Sequence, residues 1–184
     1  MGAPVDTLVV GLGNPILSDD GVGWRVATAV QARLREAPFE GRRVDVIRTS
    51  LGGLALAELL VGYRCAIIVD AIMRQNGVPG EVYALRLDTL QGTLNSASAH
   101  DTNLRTALVA LRRFGAEDLP TDETICVVAI QAADVWTFAE QCTPAVAASV
   151  PRAAELVLDL LSAEEVFGGD FPECEAGFRA REGS

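Results

Sequence analysis

Three side chains in this sequence are of types, and in settings, that can do chemistry. Asp20 completes the acidic pair Asp19-Asp20 that follows a Gly11-Leu12-Gly13-Asn14-Pro15 turn. Asp70 closes the apolar run Cys65-Ala66-Ile67-Ile68-Val69. His100, the only histidine, closes a polar stretch rich in Ser, Asn and Thr. Two hard carboxylates and one borderline imidazole suit a first-row divalent metal such as Zn²⁺ or Ni²⁺, with positions left for water or substrate. The same trio can also serve as a general acid–base set. Residue type does not choose between these, and each residue has an ordinary reading too. Acidic residues in a first helical turn suit the helix dipole, which accounts for Asp19 as a cap of the helix that follows it. Strand ends often carry a polar residue, and a lone histidine is usually a surface residue. Asn14 reads as a turn former through side-chain-to-backbone hydrogen bonds.

The surrounding elements must bring these residues to one place. Thr7 to Val10 is a buried strand breaking at the glycine turn, and Val22, Val26, Ala29, Val30 and Leu34 recur at helical spacing through about Arg35. Arg43 to Ile47 is a second strand, Leu54 to Val61 a helix, and Cys65 to Val69 a central strand ending at Asp70. Gly77-Val78-Pro79-Gly80 is a turn into an alternating strand, Val82 to Leu87. A polar segment from Gln91 to Ala99 leads to a helix over Asp101 to Phe114. Thr124 to Ile130 is a further buried strand. The last helix starts at Thr143-Pro144 and runs to Leu161, with Pro151 expected to kink or restart it.

That order predicts a three-layer α/β/α fold with a mostly parallel, five-stranded sheet. The short link before Val82 makes that strand antiparallel. Residues 1–161 are read as a single domain and 162–184 as an irregular tail. In such a sheet ligands bind at the carboxyl ends of the strands, where the winding reverses. If the first and third strands are neighbours, Asn14, Asp19 and Asp20 share that edge with Asp70.

Composition narrows the function. The chain has 184 residues, 49% of them hydrophobic, enough for a complete core. Acidic residues outnumber basic ones by 25 to 15, a net charge of -10. That sign repels phosphodiester backbones and argues against nucleic-acid binding. The cluster Arg33, Arg35, Arg42 and Arg43 reads as solvated charge around a helix end. No membrane span and no signal segment stand out, so no membrane association and a cytoplasmic location are expected. Cys65, Cys126, Cys142 and Cys174 form no C-x-x-C pair, which disfavours a zinc knuckle or a disulfide scaffold.

The Gly-x-Gly turn does not bind a dinucleotide on this reading. The third glycine would have to replace Ile16, two carboxylates follow, and the second strand ends in Arg48-Thr49-Ser50 with no acid to hold a ribose. No organic cofactor is expected. There is no G-x-S-x-G elbow and no evident nucleophile, so hydrolysis here would use water activated by a metal or a carboxylate.

At these residues the sequence resembles the hydrogenase maturation endopeptidases. The matching segments are Gly11-Leu12-Gly13-Asn14-Pro15-Ile16-Leu17-Ser18-Asp19-Asp20-Gly21-Val22-Gly23, then Ile67-Ile68-Val69-Asp70-Ala71, then Ser96-Ala97-Ser98-Ala99-His100 followed by Leu104. Gln131 and Thr143-Pro144 extend the similarity over roughly Thr7 to Leu161. The resemblance implies that Asp20, Asp70 and His100 are the metal-binding and catalytic positions. They would recognise nickel carried by the substrate, the precursor of a nickel–iron hydrogenase large subunit, before a C-terminal extension is removed. A monomer suffices for this. One segment departs from the family pattern: where an Asp-Gly-Gly-Thr-like stretch is common, this chain has Arg48-Thr49-Ser50-Leu51. That reverses a charge expected at the rim of the crevice and could mark a different precursor preference.

Two other readings use the same residues. A metal-binding module that only holds the precursor needs no nucleophile. A peptidyl-tRNA hydrolase shares the Gly-Leu-Gly-Asn-Pro opening, but would need a histidine soon after the turn and a surface tolerant of RNA.

Overall fold

The computed structural model describes residues 5–39, 42–88 and 99–162, with side chains throughout except at 5, 6 and 99–103. The expected polar segment at 91–98 and the expected tail at 163–184 lie outside the described residues.

Five strands form one sheet: β1 (Val5–Leu12), β2 (Arg42–Thr49), β3 (Cys65–Ile72), β4 (Val82–Arg86) and β5 (Ile125–Gln131). Their spatial order is β2-β1-β3-β5-β4. The first four in that order are parallel, and β4 pairs antiparallel with β5 at the edge. The helices are α1 (Val22–Glu36), α2 (Gly53–Leu59), α3 (Ala99–Arg113) and α4 (Pro144–Ser162). The expected three-layer α/β/α architecture with one antiparallel strand is the one observed.

Side-chain alternation divides the core in two. Val9, Ile67, Val69, Cys126, Val128 and Ile130 face Val22, Val26 and Val30 of α1 and Val146, Ala153 and Val157 of α4. The alternate residues Leu8, Val10, Ala66, Ile68, Ile125 and Val127 face Leu56 and Leu60 on the α2 side and Leu104 and Leu108 of α3. The central strands β3 and β5 are buried along their whole length, which explains their unbroken apolar runs.

Three expectations are corrected. Strand β3 does not stop at Asp70 but continues to Ile72, because Ala71 and Ile72 still find partners in Ile130 and Gln131 of β5. Helix α3 starts at Ala99, so His100 lies inside its first turn and not before it. Helix α4 runs unbroken through Pro151. Pro151 and Ala147, whose carbonyl loses its partner, are both exposed, so water can satisfy the orphan oxygen.

Candidate functional site

The winding reverses between β1 and β3, which are direct neighbours, with Gly11 opposite Val69. The carboxyl ends of these two strands therefore border the crevice where such folds bind ligands. The chain leaves β1 through Gly13, at φ 121. A Cβ there would fall 1.9 Å from the carbonyl oxygen of Asp20, so only glycine lets the turn fold back over itself. A short 3-10 turn, Ser18–Gly21, then carries Asp19 and Asp20 into α1. Gly23 in the first turn of α1 lies almost on the sheet: a Cβ would stand 2.3 Å from the Leu12 carbonyl oxygen and 2.4 Å from that of Val69. This close approach seats the acidic turn over the ends of both strands, and the turn packs directly against β3.

Asp20 is half-buried at this edge. Its Oδ2 accepts a 2.6 Å hydrogen bond from the Asn14 N–H, and among the described residues its Oδ1 receives none. Asn14 orders the turn as expected, its Oδ1 accepting from the Ile16 N–H at 3.2 Å. Asp70 is 3% exposed, and its Oδ1 accepts from the Ala71 N–H at 2.8 Å. By alternation along β3 it belongs to the face covered by α2 and α3. Helix α3 ends near the start of β5, where Arg112 and Arg105 both bond Asp122. Its first turn, with His100, therefore leads toward the opposite edge, where Asp20 and Asp70 lie. The His100 side chain lies outside the described residues. Among the described residues no group of three or more His, Cys, Asp and Glu side chains is arranged to hold a metal; Asp20 and Asp70 supply two hard oxygen donors to any such set.

Asp19 does not cap α1. Its Oδ2 accepts from the N–H groups of Ala133 at 2.9 Å and Asp134 at 3.0 Å. Thr143 gives both its N–H, to Oδ1 at 2.6 Å, and its hydroxyl, to Oδ2 at 3.0 Å. It thus ties the acidic turn to the loop between β5 and α4, a contact no local pattern announces. Main-chain bonds run alongside: Ser18 N–H to Ala139 O at 2.8 Å, Asp19 N–H to Asp134 O at 3.0 Å and Ala139 N–H to Ile16 O at 3.1 Å. The same loop presents Trp136 and Phe138, 74% and 81% exposed. Sequence reading missed these two aromatics, whose only signal was apolar residues in a segment without periodicity. Asp134 shapes the loop in turn. The Thr137 hydroxyl, then the N–H groups of Trp136 and Thr137, hold its carboxyl below the usual range.

Gln131 is buried at the end of β5 and organises the neighbouring β3–β4 connection. Its amide donates to Arg74 O and its Oε1 accepts from the Arg74 N–H, both at 3.3 Å. Arg48, exposed near the carboxyl end of β2, donates from Nη1 to the Thr28 hydroxyl at 2.9 Å, which ties its guanidinium to the second turn of α1. Arg42 of the basic cluster donates to the Leu161 carbonyl at 2.6 Å, closing the end of α4. Among the described cysteines Cys142 alone is half-buried, packed against the edge of the core. Burial pushes its thiol pKa up, with Arg25 opposing, so the protonated thiol is no activated nucleophile.

The family model for hydrogenase maturation protease (HycI) matches residues 24–160. The chain belongs to the hydrogenase maturation protease family. It is therefore a peptidase, and hydrolysis, not holding or tRNA chemistry, is the activity of its kin. The matched span includes Asp70 and His100 and begins just after the Asp20 turn. Among solved structures, the hydrogenase maturating endopeptidase HybD of E. coli is 26% identical with a TM-score of 0.66, over 84% of this chain and 91% of that one. The [NiFe] hydrogenase maturation protease HybD of Thermococcus kodakarensis shares the fold at 23% identity and a TM-score of 0.62, over 84% and 97% of the two chains. HycI of the same archaeon also shares it, at 20% identity and 0.60, over 86% and 94%. No curated protein matches the sequence. Among the described residues no helix of this protease is long and apolar enough to cross a membrane.

Proposed function

We propose that this protease removes a C-terminal extension from the nickel-loaded precursor of a nickel–iron hydrogenase large subunit, with Asp20, Asp70 and His100 recognising the substrate's nickel. The observation that carries the reading is the placement of the Asp20 turn and Asp70 on neighbouring strand ends, at the winding reversal, in a chain of this family. Nickel enters as part of the substrate and acts as a checkpoint: a precursor without it offers nothing for the carboxylates to grip. A metal-polarised or carboxylate-activated water is the attacking group on this reading, in keeping with the protonated Cys142. The protein works as a monomer in the cytoplasm, with no organic cofactor and no nucleic-acid or membrane partner.

The test mixes the purified protein with its large-subunit precursor, with and without nickel inserted, and records intact masses. Loss of a C-terminal peptide only from the nickel-loaded form is the expected result. Equal cleavage of both forms would remove nickel from the recognition step. A stable complex with unchanged mass would mean that this chain holds its partner without cutting it.

A further inference from the structure

Asp19 is 0% exposed and carries four hydrogen bonds, none of which comes from its own helix. Three donors converge on Oδ2 (Ala133 N–H, Asp134 N–H and the Thr143 hydroxyl) and one, the Thr143 N–H, on Oδ1. Thr143 immediately precedes α4, so the carboxylate also lies at the positive end of that helix. A buried carboxylate is costly unless its lone pairs are filled, and here they are filled by donors alone.

Asp20 has no such anchorage. Among the described residues its bonds stay within its own turn: Oδ2 accepts from the Asn14 N–H, and its N–H donates to Leu17 O at 2.9 Å. The turn is fixed laterally at the preceding residues, where Ser18 sits at φ 40 and Ser18 and Asp19 join Ala139 and Asp134. We infer that Asp19 is the positioning residue for Asp20. By clamping the acidic turn to the β5–α4 loop, its carboxylate fixes where the Asp20 carboxylate stands at the sheet edge. This rests on the reading that Asp20 serves precursor processing.

The chemistry of the clamp sets the variants. Asp19→Asn keeps the shape, but its amide N–H₂ must replace one oxygen and face a donor, most cheaply at Oδ1 opposite the Thr143 N–H. Thr143→Val deletes only the hydroxyl donor, and Thr143→Ser restores it. The experiment measures two quantities on the full chain, at a temperature where each variant is folded. The first is hydrogen exchange of the Asn14 amide, which reports the bond to Asp20 without requiring activity. The second is the processing of nickel-loaded precursor, resolved into kcat and KM.

In Asp19→Asn and Thr143→Val the Asn14 amide is expected to exchange at least about 10-fold faster while the Val69 amide in the core is unchanged. Turnover is expected to fall by about 10- to 100-fold, as when partners that orient working groups are lost, with KM little altered. Thr143→Ser returns both towards the parent. Unchanged Asn14 exchange in both disrupted variants overturns the inference whatever the activity. So does parental turnover per folded molecule with only a lowered melting temperature, which would make the clamp purely structural. If the parent protein fails to process precursor, the functional reading fails, while the exchange measurement still decides the clamp.

Discussion

The backbone N–H of Asn14 donates to the carboxylate of Asp20, six positions along the chain, across 2.6 Å, closing the turn on itself. A turn that spends one oxygen of an acid on its own backbone leaves the other directed by the turn's geometry. Asp20→Asn, Asp70→Asn and His100→Ala are each expected to lower precursor processing by roughly 10²- to 10⁴-fold, the range for a working acid–base or metal-binding group. Circular dichroism spectra should match the parent. Processing at the parental rate in Asp70→Asn and His100→Ala would dismiss the proposed trio.

Gly23 separates two carbonyl oxygens that belong to different strands. A methyl group there meets Leu12 O at 2.3 Å and Val69 O at 2.4 Å, both rigid backbone. Gly23→Ala must therefore lift α1 from the sheet. Overpacking of this kind costs about 1–3 kcal/mol, occasionally more. Urea unfolding should show that loss in the midpoint with an unchanged slope; a parental midpoint would mean the helix shifts freely.

Cys65 is 2% exposed at the start of β3, and burial, partly offset by Arg64 and Arg42, raises its thiol pKa from 9.0 to about 12. A folded pKa above the unfolded one favours folding only while the thiol is protonated in both states. The contribution is complete below about pH 9 and is lost as pH climbs towards 12. Stability of the parent should fall more steeply across this window than that of Cys65→Ala, and a disulfide reagent at pH 8 should leave Cys65 unmodified until the protein unfolds. Rapid labelling of native Cys65 would contradict its burial.

Pro151 interrupts the backbone bonding of α4 on its exposed side. Pro151→Ala should raise stability, since the restored bond and better propensity, about 3 kcal/mol at most, outweigh the roughly 0.4–1 kcal/mol by which proline stiffens the unfolded chain. A lower melting temperature would show that the proline shapes the helix usefully.

Much of this architecture was legible in the sequence because its signals are local. Continuous, β-branched apolar runs such as Ile67-Ile68-Val69 and Cys126-Val127-Val128 have the pattern of strands in a sheet covered on both faces, which they are. The short connection before Val82 excluded a parallel crossover. The edge shared by Asp20 and Asp70 followed once β1 and β3 were taken as neighbours. What local pattern could not reveal depended on partners far along the chain. The length of β3 was decided by its pairing with β5, and Asp19 resembled an ordinary helix cap because its true donors lie beyond residue 130. The partner of Arg48 was equally hidden, because nothing in its own segment announces the hydroxyl of Thr28.

The span between Asp19 and its partners also orders events in time. Ala133 and Thr143 stand 114 and 124 residues downstream. The Asp20 turn is synthesised before β5 and α4, so its lateral bonds must wait until β5 and the start of α4 have been made. Contacts of such separation pay their loop-closure entropy before they give anything back. A nascent chain that stops short of Ala133 thus holds Asp20 without the bonds that tie its turn to the β5–α4 loop, and the sheet edge is complete only once that loop has been made.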